Sequence, residues 1–199
     1  MVKTNPNFGL LVENYLFADI SKRVADFTAA GGNGQRVIKM GIGDVTLPLA
    51  GAVIEAMHSA VSEMGVKETF QGYPPYDGYP FLKKAISDYY RARSIDIDPS
   101  EVYVGDGAKS DLGNITDLFS NDNIVLVPDP VYPVYVDSNL MLNREIRYLD
   151  ANESNGYLPL PDDKTVGDII YLCSPNNPTG AVYTHDQLAQ WVAFAREHG

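Results

Sequence analysis

Cysteine is almost absent: Cys173 is the single one in 199 residues. No disulfide can form within the chain, and a reducing compartment is the natural expectation. Basic residues are also scarce. Fifteen Lys and Arg face 26 Asp and Glu, which leaves a net charge of −11. That balance argues against nucleic acid, which needs a basic face, and against an anionic membrane surface. It leaves room for one local cationic pocket. No run is apolar for long enough to span a bilayer. The opening residues, MVKTNPNFGLLVENYLF, lack the long apolar core of a signal peptide. The three histidines, His58, His185 and His198, have no spacing that binds a metal, and the acidic residues are scattered without a paired-carboxylate signature. What remains is 45% hydrophobic and 21% charged. That is ordinary globular composition, and the length suits a sizeable core.

Hydrophobic spacing supplies the elements. Leu16, Ile20, Val24 and Phe27 recur at helical spacing near the N-terminus, and Gly31-Gly32-Asn33-Gly34 ends that helix. A short strand is expected over Val37–Met40, then a turn at Gly41–Asp44. Val53, Met57, Ala60, Val61 and Met64 mark one helix face. Gly72–Gly78 is a loop rich in turn formers, and Phe81–Ala92 a helix with Leu82, Ile86 and Tyr89 inward. A strand over Glu101–Val104 leads to a helix over Ala108–Phe119. Strands are expected at Ile124–Val127, Glu145–Leu149 and Asp168–Leu172, with a helix over Tyr132–Leu142. Thr184–Gln187 is a capping-box pattern that opens a helix carrying Leu188, Trp191, Val192 and Ala195. Alternating β and α units with continuous apolar strands imply an α/β fold, with a mostly parallel sheet covered by helices on both faces. The last helix runs to Gly199 with no closing strand, so the chain is read as truncated.

Four segments carry chemistry. In Gly105-Asp-Gly-Ala-Lys-Ser110, small residues let the backbone approach an anion at a helix N-terminus, and Lys109 adds a positive charge. A plain strand-to-helix turn explains the same residues, and the spacing is not that of a P-loop. In Asp129-Pro-Val-Tyr-Pro-Val-Tyr135, two prolines stiffen a turn that presents Tyr132 at the carboxyl edge of the sheet, where α/β folds bind ligands. Tyr132 either stacks on a planar ring or packs the first turn of its own helix. In Ser174-Pro-Asn-Asn-Pro-Thr-Gly180, Asn177 precedes Pro178 and is held extended, its amide able to donate into the same crevice. Gly41-Ile-Gly43-Asp44 resembles the start of a dinucleotide fingerprint, but the third glycine is missing. A Gly43 amide facing a carboxylate and a plain turn both fit it. Tyr15 and Tyr73 read as arm and loop tyrosines.

Together and in this order, these segments resemble the fold-type I aminotransferases. The strings GIGDVTLPL (41–49), ETFQGYPPYDGYPFL (68–82), GDGAKSDLGN (105–114), DPVYPVYVD (129–137) and SPNNPTG (174–180) carry the resemblance. The last is shared by that superfamily, while the others match the L,L-diaminopimelate aminotransferases more narrowly. The resemblance implies pyridoxal 5'-phosphate as cofactor. It implies amino transfer between L,L-diaminopimelate and 2-oxoglutarate, with tetrahydrodipicolinate and glutamate as the other pair, in lysine biosynthesis. A related aminotransferase acting on alanine or aromatic amino acids is the alternative, and a non-catalytic remnant a further one. Small amino acids and 2-oxo acids would be the partners, with a homodimer at full length, in the cytoplasm or, for a plant protein, the plastid stroma.

By the same resemblance, Ala108 (through its N–H) and Lys109 hold the cofactor phosphate. Tyr132 stacks on the pyridine ring, and Asn177 bonds its 3-oxygen. Tyr73 reaches the phosphate of the partner subunit. Tyr15 and Gly43 line the substrate pocket, with Lys109, Tyr132 and Asn177 also touching substrate. Residues 1–40 would form an N-terminal arm and part of the small domain, and 41–199 an incomplete large cofactor-binding domain. The family's Schiff-base lysine follows SPNNPTG by a long interval, whereas the last lysine here is Lys164. That lysine is therefore expected beyond Gly199, and the chain alone is expected to be inactive.

Overall fold

The computed structural model of the chain describes residues 2–11, 16–38, 40, 43 and 45–199; the side chains of 16, 17 and 35 are outside that description. The chain divides into two compact units, Asn14–Asp106 and Met1–Glu13 with Gly107–Gly199.

The first unit is built on three helices, α1 (Leu16–Ala29), α2 (Gly51–Met64) and α3 (Pro80–Arg91). Proline opens α3, where its missing N–H costs nothing. The face that α3 buries differs from the apolar stripe. Lys83 and Ser87 are buried, while Leu82 and Tyr89 are exposed. The reason lies in what packs there. Residues 72–78 and 97–104 offer polar groups to α3: the Asp77 carboxylate takes an ion pair from Lys83, and the Ile97 carbonyl accepts from the Ser87 hydroxyl at 2.6 Å. Next to that pair, Gly78 has φ 111°, and a Cβ on it would stand 2.6 Å from Val104 Cγ2. Only glycine meets both demands. The apolar positions of α2 are exposed as well, Val53, Met57, Val61 and Met64 among them.

Two expected strands of this unit are absent among the described residues. Val37, Ile38 and Met40 are not in a strand, and Lys39 lies outside the described residues. At Glu101–Val104, a capping box between Asp98 and Glu101 curls Pro99–Glu101 into a 3-10 turn. Val104 then makes a single backbone bond to Asp77, 3.1 Å, instead of a ladder. A strand needs neighbours to satisfy its amides, and among the described residues these segments have none of that kind.

The second unit holds the sheet. The strands are β1 (Val125–Asp129), β2 (Ile146–Asp150) and β3 (Ile169–Ile170), all parallel, in the order β2-β1-β3. Val125 pairs with Ile146 on one side and Ile169 on the other. The central β1 is the core: Val125, Leu126 and Val127 are at most 1% exposed. A strand covered on both faces must be apolar throughout, which is why VLV reads as a run and not as an alternation. Three helices belong to this unit: α4 (Ala108–Ile115), α5 (Pro133–Met141) and α6 (His185–His198). Between β1 and β2, α5 makes the crossover. The expected capping box opens α6, with Thr184 Oγ1 accepting from the Gln187 amide and the Gln187 side chain accepting from that of Thr184. Two buried aromatics anchor α6. Trp191 Nε1 and Tyr183 Oη both donate to the Pro159 carbonyl, at 3.1 and 2.9 Å. The N-terminal residues join this unit through Asn5, whose amide donates to the Met141 carbonyl at the end of α5 at 3.0 Å.

Candidate active site

Three segments of the second unit converge on one another: the start of α4, the turn between β1 and α5, and the loop after β3. Gly107 caps α4 with φ 149° and ψ 155°, a conformation that suits glycine. Its carbonyl accepts from Ser110 and Asp111. The amides of Ala108 and Lys109 therefore precede the first intrahelical donor, as at any helix start, and they add to the positive end of the helix dipole. Ala108 and Lys109 are both exposed.

The turn after β1 delivers Tyr132 to the N-cap position of α5, and Pro133 follows at the first helical position. Lys109 Nζ stands 5.5 Å from the centroid of the Tyr132 ring. A cation over an aromatic face at this range is attracted by about 0.5–1 kcal/mol at an exposed site. Beneath Tyr132 lies a stack. Tyr135 meets it edge-on at 6.1 Å, and Tyr171 lies against Tyr135 at 5.0 Å with an interplanar angle of 24°. Burial, reinforced by Cys173 and the neighbouring tyrosines, pushes the Tyr135 phenol up to about 12. That group stays a neutral packing element at physiological pH. The aromatic floor under Tyr132 thus begins with Tyr135, in the first turn of its own helix, and continues to Tyr171.

The loop after β3 is a closed turn. Gly180 N–H donates to the Asn176 carbonyl at 2.7 Å, and Asn176 N–H to Ala181 at 2.8 Å. Asn176 is buried at 5% exposure, and its side-chain amide donates to Thr179 Oγ1 (3.0 Å) and to the Pro130 carbonyl (3.2 Å). Its Oδ1 is buried without a partner among the described residues. Asn177, the next residue, is exposed at the apex. Sequence reasoning singled out Asn177 and passed over Asn176. A signal was available: a turn that packs against the buried β1–α5 connection must offer a donor to that connection's carbonyls, and an adjacent pair of amides supplies one inward and one outward.

The structure thus brings Lys109 against Tyr132, with Ala108 adjacent in the chain, and ties the loop of Asn177 to the turn of Tyr132. Gly43 and Tyr73 belong to the other unit. Gly43 is exposed, and a Cβ there would meet nothing within 4 Å. Tyr73 is fully exposed on the loop Gly72–Tyr79, which the Tyr79 hydroxyl closes by donating to the Gly72 carbonyl. Tyr15 lies outside the described residues, as do Gly41, Ile42 and Asp44. A hollow of about 500 Å³ elsewhere in the second unit, between residues 161–165 and α6, is lined by Asp162, Asp163 and Glu197. Those carboxylates would repel an anion, so it is no competitor for a phosphate. Among the described residues no His, Cys, Asp and Glu group could hold a metal, and no helix is long and apolar enough to cross a membrane.

A helix start with an added lysine suits an anion, an aromatic face suits a planar ring, and an exposed amide suits a phenolic oxygen. That donor set fits a phosphorylated pyridine. The family model for aminotransferase class I and II matches residues 35–199. The chain is 49% identical to an LL-diaminopimelate aminotransferase of Parabacteroides distasonis, over 98% of this chain and 50% of the relative. It is 47% identical to one of Prochlorococcus marinus, over 100% of this chain and 51% of the relative. The L,L-diaminopimelate aminotransferase structure from Chlamydomonas reinhardtii superposes with a TM-score of 0.85 at 34% identity, over 98% of this chain and 50% of that one. The chain spans about half the length of the curated relatives it matches. Its partial parallel sheet with flanking helices is that of a fold-type I aminotransferase, and the chain belongs to the class I and II aminotransferases.

Proposed function

We propose that the protein carrying this chain is a pyridoxal-phosphate-dependent transaminase. It moves an amino group between L,L-diaminopimelate and 2-oxoglutarate, with tetrahydrodipicolinate and glutamate as the other pair. The observation that carries the cofactor reading is Lys109 Nζ at 5.5 Å from the Tyr132 ring, at the start of α4. The substrate reading is supported by relatives so named at 47–49% identity. Residues 1–40 serve as arm and part of the small domain, and 41–199 as part of the large domain.

Each residue has a separate task. The Ala108 N–H and the Lys109 ammonium hold the phosphate dianion. Helix dipole, free amide and full charge all act in one direction there. Tyr132 covers one face of the pyridine ring, and its aromatic floor keeps it from turning away. Asn177 donates to the ring's 3-oxygen. When bound, the cofactor supplies an electron sink for the carbon that loses or gains the amino group. The proton at that carbon needs a neutral amine placed beside it. Lys109, committed to the phosphate end, is at the wrong end of the ring for that, and the chain has no lysine after Lys164. Tyr73 extends to the phosphate held by a second copy in a homodimer, while Tyr15 and Gly43 line the substrate pocket.

Titration of the full-length apo-protein with pyridoxal phosphate, wild type against Lys109→Ala, tests the reading. A clear loss of affinity with an unchanged melt supports it. Equal affinity would leave Lys109 as a solvated charge at a helix start and sink the cofactor assignment.

A further inference from the structure

Arg144 is 4% exposed, and each of its four side-chain hydrogen bonds among the described residues goes to a neutral oxygen. Nε donates to the Ser120 carbonyl at 3.1 Å. Nη2 donates to the Thr116 and Phe119 carbonyls at 2.6 and 2.5 Å, and Nη1 to Asn139 Oδ1 at 2.9 Å. A charge buried without a carboxylate is costly to desolvate, and an apolar side chain would serve plain stability as well or better. What the guanidinium does provide is a rigid fork that holds several acceptors in a fixed arrangement.

Those acceptors lie at the C-cap of α4, in the residues just after it, and on α5, and the starts of these two helices form the proposed cofactor site. Thr116 caps the C-terminal end of α4, where the helix dipole is negative, and its carbonyl also accepts from the Phe119 amide; Phe119 and Ser120 follow it in the chain. The other end of that helix carries Ala108 and Lys109. Asn139, fully buried, is in α5, the helix that Tyr132 caps. The Asn139 amide donates in turn to the Tyr135 carbonyl (2.7 Å) and the Tyr171 hydroxyl (3.3 Å), which places it on the aromatic floor under Tyr132. An eight-residue helix is about 12 Å long and stiff, so a grip on one end sets the direction of the other.

We propose that Arg144 is a positioning residue of the cofactor site. By gripping the C-terminal end of α4 and the Asn139 side chain of α5, it sets the spacing between the phosphate-facing start of α4 and the Tyr132 ring. The proposal rests on the cofactor reading above.

The test compares pyridoxal phosphate with pyridoxal, which lacks the phosphate, in the full-length apo-protein. Affinities and melting temperatures are measured for Arg144→Lys, Asn139→Ala, Lys109→Ala and the Arg144→Lys/Lys109→Ala double variant. Lysine keeps the charge but cannot hold four oxygens at once. Arg144→Lys and Asn139→Ala are expected to weaken pyridoxal phosphate about tenfold while leaving pyridoxal affinity within about twofold. In the Lys109→Ala background the effect of Arg144→Lys on phosphate affinity should largely vanish, because the contact it aligns is already gone. Equal losses for both ligands, additive losses in the double variant, or unfolding of both Arg144→Lys and Asn139→Ala would overturn the proposal and leave Arg144 a fold determinant only. If Lys109→Ala itself binds pyridoxal phosphate normally, the cofactor reading fails. If Lys109→Ala weakens it and Arg144→Lys does not, only the positioning role fails.

Discussion

The side-chain amide of Asn176 donates to the carbonyl of Pro130 across 3.2 Å, and so links the loop after β3 to the turn after β1. Asn177 sits one residue beyond the donor, and Tyr132 two residues beyond the acceptor. One part-buried hydrogen bond therefore joins the two loops that carry an amide and an aromatic ring in the proposed site. Removing the donor should leave a Pro130 carbonyl without its partner. Asn176→Ala is expected to destabilise the protein by about 1–3 kcal/mol, the range for a buried polar group stripped of its partner. Denaturant unfolding with the midpoint and slope fitted separately measures it. A midpoint shift equivalent to less than about 0.5 kcal/mol, in the range of an ordinary surface substitution, would mean that the loop closes without this bond.

Lys109 is exposed, unlike Asn176, and its loss should be felt by the ligand and not by the fold. Charge-assisted bonds to phosphate contribute roughly 1.5–3 kcal/mol each, so Lys109→Ala should weaken pyridoxal phosphate by about 10- to 150-fold. Its thermal melt in the absence of ligand should stay close to that of the parent. Raising ionic strength should narrow the gap between the two proteins, because salt screens an exposed charge. A gap insensitive to salt would point to a steric effect of the substitution instead.

The Asp77–Lys83 pair makes a prediction about pH. Hydrogen bonding from Lys83 holds the Asp77 carboxyl below its ordinary value. A carboxylate depressed in the folded state stabilises the fold above its unfolded pKa, near 4, and that contribution fades as pH falls through the folded value. Lys83→Met removes the cause of the depression. Between pH 6 and pH 3, roughly the span over which such a carboxylate protonates, the parent should lose more stability than the variant. Urea midpoints across that range decide the matter. Parallel losses would show that the pair is not coupled to folding.

Some of this was legible in the residues. The Thr184–Gln187 capping box opens α6 where its pattern requires, because cap chemistry is local and needs no tertiary partner. The β1-α5-β2 unit was legible from a buried apolar run and a proline-stiffened turn. The buried face of α3 was not. Spacing points Leu82, Ile86 and Tyr89 inward, yet Lys83 and Ser87 are the buried pair. Helical periodicity shows which residues share a face; it cannot show that the surface packed on the other face offers a carboxylate and a carbonyl. Arg144 was invisible for the same reason. Three of its acceptors, the carbonyls of Ser120, Phe119 and Thr116, lie 24 to 28 residues away, and no local pattern encodes where they are.

Amino transfer by the protein that carries this chain is read from amine exchange. Full-length protein saturated with pyridoxal phosphate is given L,L-diaminopimelate and 2-oxoglutarate, and glutamate and tetrahydrodipicolinate are quantified against the same protein offered alanine or an aromatic amino acid. Both products are expected to form stoichiometrically from L,L-diaminopimelate, at a kcat/KM well above that for the other donors. Glutamate formed from alanine or an aromatic amino acid but not from L,L-diaminopimelate would contradict the substrate, and no transfer from any donor would contradict the function.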